Sequence, residues 1–187
     1  MAEAEKLRLF VAFDVPEPFR EALQEIVEPL RDALTGARWT NVADQHVTLR
    51  FLGWVPAEAR SDVDAVCREV AGRREPADLS LGDLGAFPSA RRARVLWAGI
   101  DDPDGLTPGL AADLDAGFRT LGFEPEQRSY TPHLTLARIK RPRPLGDLPQ
   151  VPPEARGTFR LEEVVLYRSH LSRKGARYEV VERFPLG

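Results

Sequence analysis

The chain is poor in the residues that carry most covalent and metal chemistry. Its 187 residues include one cysteine, one methionine, three histidines and three lysines. A single cysteine, Cys67, excludes an intramolecular disulfide and a thiolate metal cage. Its setting, DVDAVCREV, has helical apolar spacing, so a buried and inert thiol is expected. No HExxH or CxxC spacing is present, and a zinc site would have to be completed by carboxylates. GxSxG and GxxxxGK[ST] are also missing, so neither a serine-hydrolase elbow nor a phosphate loop is indicated. No long apolar run exists: FVAF is far too short to span a bilayer, and MAEAEKLRLF has the mixed charge of neither a signal peptide nor an anchor. No membrane association, a cytoplasmic location and a monomer are the expectations.

A net charge of −3 argues against a surface built to coat nucleic acid. The positive charge is nevertheless clustered, in RRAR at 91–94, in RIKRPR at 138–143, and in RSHLSRKGAR at 168–177. Arginine outnumbers lysine 23 to 3, an excess that GC-rich coding produces by itself, yet the clusters are compatible with a small basic cleft on an acidic body.

Length and composition, with 43% hydrophobic and 29% charged residues, fit one soluble domain spanning 1–187. Leu7–Val15 reads as a buried strand ended by Asp14 and Pro16. Residues 18–34 carry a helical apolar stripe, in which Pro29 should kink or shorten the helix. Strands are expected at 37–42 and 45–52, with Gly53 as a breaker, then a helix at 57–70 and a strand at 79–87. The second half brings a strand at 94–101, a helix at 106–121 ended by Gly122, and a strand at 129–139. A Pro-rich loop leads to strands at 158–168 and 176–184.

Two of the three histidines open nearly identical stretches, HVTLRFLG at 46–53 and HLTLARIK at 133–140. At an offset of 87 residues the halves align without a gap: FVAFD at 10–14 falls on WAGID at 97–101, and HVTL on HLTL. The strand-ending Asp precedes the motif His by 32 residues in both halves. An internal duplication of strand, helix and motif strand explains this register. The expected architecture is α+β and bilobal: two pseudo-symmetric lobes, roughly 1–90 and 91–187, each a small, mostly antiparallel sheet backed by helices, with a groove between.

Alternate residues of a strand share a face, so His46 and Thr48 point one way, as do His133 and Thr135. If the two faces meet across the groove, the site holds two imidazoles and two hydroxyls in mirrored roles. One neutral imidazole can take a proton from an attacking water while the other, protonated, supplies the leaving oxygen on the opposite side of phosphorus. The Thr hydroxyls can donate to the non-bridging oxygens. No metal and no other cofactor is required. A lone His-x-Thr on a strand is ordinarily structural; here it is doubled, similarly flanked and placed equivalently in a repeat. His170, in YRSHLSRKG, lacks a partner Thr and is expected to be a solvated turn residue. Asp14 and Asp101, each at a strand end, read as turn formers.

LRLFVAFDVP, ARWTNVADQHVTLRFLG, PHLTLARIK and the pair LYRS and ARYEVVERFPL together resemble the RNA 2′,3′-cyclic phosphodiesterases, also named 2′-5′ RNA ligases, of the two-histidine phosphodiesterase superfamily. The resemblance runs over nearly the whole chain. It implies metal-independent opening of a terminal RNA 2′,3′-cyclic phosphate to a 2′-phosphate, with His46 as proton donor to the departing O3′ and His133 as proton acceptor. It also implies phosphate binding by Thr48, Thr135 and Arg138 and base stacking on Phe51. Phe51 and Arg138 stand five residues past their histidines, so regular alternation would turn them away from the site unless a bulge or strand end intervenes. Their plainer roles are a core side chain and a solvated cation. The implied partner is RNA with a 2′,3′-cyclic phosphate end, including tRNA halves. Rival readings keep the fold for 2′-5′ ligation of tRNA halves or for hydrolysis of small cyclic nucleotides. A rival of another class is a non-catalytic nucleotide- or RNA-binding module, which would have no need of two titratable groups.

Overall fold

In the computed structural model of the protein, residues 5–172 and 175–187 are described; Arg173 and Lys174 of the basic stretch RSHLSRKGAR lie outside the described residues. The first strand, β1 (Lys6–Asp14), alternates as its sequence dictates: Leu7, Leu9, Val11 and Phe13 join the main core, while Arg8, Phe10, Ala12 and Asp14 face the other way. Helix α1 (Glu17–Ala33) continues through Pro29, contrary to the expected break. Pro29 and Glu25, whose carbonyl loses its donor, both lie on the exposed side, where water can take that donor's place.

Strands β2 (Ala37–Trp39) and β3 (His46–Pro56) follow. Gly53 does not end β3; with φ +74° it sits inside the strand. Next come α2 (Arg60–Ala71), β4 (Ala77–Phe87), β5 (Ala93–Asp101) and α3 (Leu106–Thr120). The start of α3 is fixed by Asp102, whose carboxylate accepts the Leu106 and Thr107 N–H groups at 3.1 and 2.6 Å. The chain closes with β6 (His133–Arg143), the short α4 (Pro153–Arg156), β7 (Phe159–Leu161), β8 (Glu163–Ser172) and β9 (Gly175–Pro185). The single strand expected at 158–168 is thus two, which pair with different partners: β7 with β4 and β8 with β1.

The strand order is β7-β4-β5-β6-β3-β1-β8-β9, with β2 added on β6, and every pairing is antiparallel. From the β6–β3 join outward, one side holds β5, β4 and β7 and the other β1, β8 and β9. Strand β4 comes from the first half of the chain but lies on β5; β8 comes from the second half but lies on β1. The two sides of the sheet therefore each draw strands from both halves of the chain.

One face of the sheet packs on Leu23 and Val27 of α1, Val63 and Cys67 of α2, and Leu110, Leu114 and Phe118 of α3 in one buried cluster. Cys67 is fully buried there, and burial pushes its thiol pKa upward, as an inert core residue requires. The opposite face is free of helices along its middle, and a second small cluster of Phe10, Ala12, Val165 and Tyr167 begins on it.

On that second face Gly85 lies opposite Trp97 in the β4–β5 ladder, and a Cβ at Gly85 would stand 2.3 Å from the indole. Gly85→Ala is expected to destabilise the fold by about 1–3 kcal/mol through overpacking. Adding Trp97→Leu should restore part of the loss; thermal melts of the single and double variants check this.

Candidate active site

Strands β3 and β6 are bridged by one backbone pair, Val47 with Leu134. Both side chains are fully buried in the core, so their neighbours His46, Thr48, His133 and Thr135 project to the open face. An antiparallel register about that pair sets His46 beside Thr135 and Thr48 beside His133. The two motifs are thereby brought together.

Both rings are held alike. His46 Nδ1 donates to the carbonyl of Asp44 at 2.9 Å, and His133 Nδ1 donates to that of Thr131 at 2.7 Å. In each case the acceptor is the residue two positions upstream. A carbonyl can only accept, so the proton is fixed on Nδ1 and Nε2 carries the ring's lone pair.

The bulges that Phe51 and Arg138 require are present. In the β1–β3 ladder Ala12 pairs with Thr48 and Val11 with Arg50, leaving Leu49 as an extra residue. In the β5–β6 ladder Trp97 pairs with Thr135 and Leu96 with Ala137, leaving Leu136 extra. These two bulges are again 87 residues apart, and each resets the alternation by one. Phe51, opposite Phe10, and Arg138, opposite Val95, consequently face the same side as the histidines. Phe51 is 42% exposed rather than a core residue. Arg138 is exposed, and its positive charge acts on both imidazoles, which places it within electrostatic reach of each.

The environments of the two histidines differ in charge. Burial is the largest influence on each and lowers both pKa values, to about 4 for His46. Against burial, His46 has the Asp44 carbonyl and the carboxylates of Asp14 and Asp44, which favour its imidazolium, while Arg138 opposes it. His133 has only the Thr131 carbonyl in its favour and Arg138 against it.

Aromatic rings wall both imidazoles, and sequence reasoning missed them. Around His46 stand Phe10 at 4.8 Å, Tyr178 at 4.9 Å and Tyr167 at 5.7 Å between ring centres. Around His133 stand Phe87 at 4.9 Å and Trp97 at 6.1 Å. Phe10 and Trp97 occupy equivalent positions of the repeat, a signal that was available in the alignment of the halves. Asp14 is more than a turn former. It pairs with His46 in the ladder and accepts the Tyr167 hydroxyl at 2.5 Å. Burial first, then this carboxylate, hold the Tyr167 phenol above its usual pKa range. Asp101, by contrast, meets Arg156 at 3.3 Å. His170 is not in a turn: it lies in β8 opposite Arg177, with Nε2 2.6 Å from Glu179.

Beside His46 opens a cavity of about 350 Å³ lined by Arg38, Asn41, Asp44, Arg138 and Tyr178 among others. Arg38 pairs with Arg138 across the β2–β6 ladder, so two cations flank this space. A hollow of about 440 Å³ lined by Asp14, Glu162, Glu163 and Arg160 is acidic and unsuited to an anion. Among the described residues, no three His, Cys, Asp or Glu side chains gather to hold a metal ion, and no helix is long and apolar enough to cross a membrane.

Paired imidazoles, paired hydroxyls and a guanidinium on one sheet face form a phosphoesterase arrangement. The family follows from comparison: the model of the LigT-like phosphoesterases matches residues 13–97 and 105–178, and the chain belongs to that family. It is 34% identical to an RNA 2′,3′-cyclic phosphodiesterase of Methanothermobacter thermautotrophicus, covering 97% of this chain and 100% of that protein. A Thermus thermophilus enzyme of the same name is 34% identical, with 96% and 90% covered. Among solved structures, a Thermus thermophilus protein superimposes with a TM-score of 0.84 at 32% identity, over 96% of this chain and 98% of that one. Escherichia coli LigT complexed with 3′-AMP does so with 0.82 at 28% identity, over 97% and 99%.

The titration of His46 has a definite sign. An unfolded imidazole titrates near 6.5 and His46 near 4, so between these values the unfolded chain binds the extra proton. Stability held by neutral His46 is present above the unfolded value and is lost as pH falls toward 4. His46→Gln should therefore lose less melting temperature than the wild type between pH 7 and pH 4.5. By NMR titration, Arg138→Ala should raise the pKa of both imidazoles, because it removes a cation that lowers each.

Proposed function

We propose that this protein hydrolyses terminal RNA 2′,3′-cyclic phosphates to 2′-phosphomonoesters, without a metal, through His46 and His133. The observation that carries the reading is the matched pair of rings, each with Nδ1–H fixed on a carbonyl and Nε2 left for the substrate. Arg138, acting on both rings, is suited to hold the phosphate between them. The relatives named as RNA 2′,3′-cyclic phosphodiesterases and the neighbour that binds 3′-AMP support the substrate class.

In the reaction, His133 Nε2 takes a proton from water as its oxygen bonds to phosphorus. The P–O3′ bond breaks, and His46 Nε2–H delivers a proton to O3′. Burial favours the neutral form of both rings in the free protein, so we take His46 to gain its proton with the substrate. An arriving phosphodiester anion offsets the burial penalty on the imidazolium, and Asp14 and Asp44 favour that charge on His46 rather than on His133. Thr48 and Thr135 hydroxyls donate to the non-bridging oxygens, and the exposed Phe51 ring receives the terminal base.

An RNA ending in 2′,3′-cyclic phosphate, incubated with EDTA, should yield a 2′-phosphate identified by its resistance to enzymes specific for 3′-phosphate. His46→Ala and His133→Ala should each lower the rate roughly 10²–10⁴-fold. Full activity in either variant overturns the paired mechanism, as would an absolute need for added metal. The pH profile of kcat/KM should be bell-shaped and centred below the ordinary imidazole value of 6.5, since burial depresses both groups in the free protein.

A further inference from the structure

The open face does not stop at Phe51. In the β1–β3 ladder, Leu52 is a second extra residue, lying between Phe51 opposite Phe10 and Gly53 opposite Leu9. The left-handed Gly53 (φ +74°) absorbs that irregularity, a conformation a side-chain-bearing residue would resist. Its effect is to put Trp54 opposite Arg8, on the side shared by Arg8, Phe10, Ala12 and Asp14. Trp54 is 60% exposed, the largest exposure among the big apolar side chains of the described residues. Near the end of β3, this indole gives the open face a second exposed aromatic surface beyond Phe51.

Its surroundings suit a particular ligand. Arg8 is fixed, its guanidinium 4.5 Å above the Phe51 ring and donating to Ser169 Oγ at 2.9 Å. Lys6 follows on the same face two residues further along β1. Moving away from His46, this face presents Phe51, then the Arg8 guanidinium paired across the ladder with the Trp54 indole, then the Lys6 ammonium. Rings and cations thus lie side by side on two neighbouring strands, in levels separated by the two-residue strand repeat of about 6.7 Å. Exposed rings with cations beside them suit stacked bases joined by phosphates.

Resting on the cyclic-phosphate reading of the site, we propose that Phe51, Arg8, Trp54 and Lys6 form a track for the single-stranded RNA leading into it. The terminal nucleotide occupies Phe51, the base before it stacks on Trp54, and Arg8 and Lys6 meet the intervening phosphates. The enzyme is thereby selective for RNA chains over mononucleotides, without reading sequence.

The test compares kcat/KM for a 2′,3′-cyclic mononucleotide with that for di- and tetranucleotides bearing the same end. Wild type should favour the dinucleotide roughly ten-fold or more, and Trp54→Ala should bring that ratio toward one, as loss of one stacked base implies. Trp54→Phe should keep most of the preference. An unchanged ratio in Trp54→Ala overturns the track and leaves the indole for another partner. If the wild type opens none of these ends, the cyclic-phosphate reading fails instead. The track is then judged by the affinity of a 3′-phosphorylated tetranucleotide for His133→Ala with and without Trp54→Ala. Equal affinities overturn it, and roughly ten-fold weaker binding supports it.

Discussion

The site depends on one backbone pair. Strands β3 and β6 meet only at Val47 and Leu134, and everything chemical on the open face is measured from there. Because both side chains are fully buried among the helices, the register at the join cannot slip by one residue without turning the motifs into the core. Strand alternation then fixes where each imidazole and hydroxyl points. A single bridging pair would be a weak seam in an ordinary sheet. Here the apolar layer beneath holds it, and the divergence on either side leaves room for a substrate.

The bulges at Leu49 and Leu136 do the rest of the positioning. A strand displays every second residue, yet Phe51 and Arg138 are an odd number of positions from their histidines. One extra residue converts the odd spacing to an even one and gathers a ring or guanidinium beside each imidazole. Both extra leucines are buried, so hydrophobic packing keeps the kinks in place. The histidines then acquire different characters from their neighbours rather than from their motifs. Burial disfavours charge on both, but carboxylates stand only near His46.

Much of this was legible in the sequence. His46, Thr48, His133 and Thr135 were visible because the motif is doubled in register, and the need for a bulge followed from counting. The α+β class and most element positions followed from apolar periodicity. Local rules misled at Pro29, Gly53 and His170, for one reason: each is read as a breaker or turn residue only if its backbone must be satisfied locally. Exposed helix carbonyls turn to water, a left-handed glycine is accommodated by a bulge, and a long hairpin absorbs His170. The aromatic walls were hidden because Phe87, Tyr167 and Tyr178 reach the histidines from strands remote in sequence. Cross-strand partners are fixed by topology, which no local pattern reports.

That topology has a consequence for how the molecule can come apart. Since β4 completes the side begun by β5, and β8 the side begun by β1, neither half of the chain contains a full set of its own strands. Each half is clasped by the other, like two hands with fingers crossed. Loss of either crossing strand would therefore strip an outer strand from a side begun by the other half of the chain. The weave ties the two sides of the groove together through both halves of the chain.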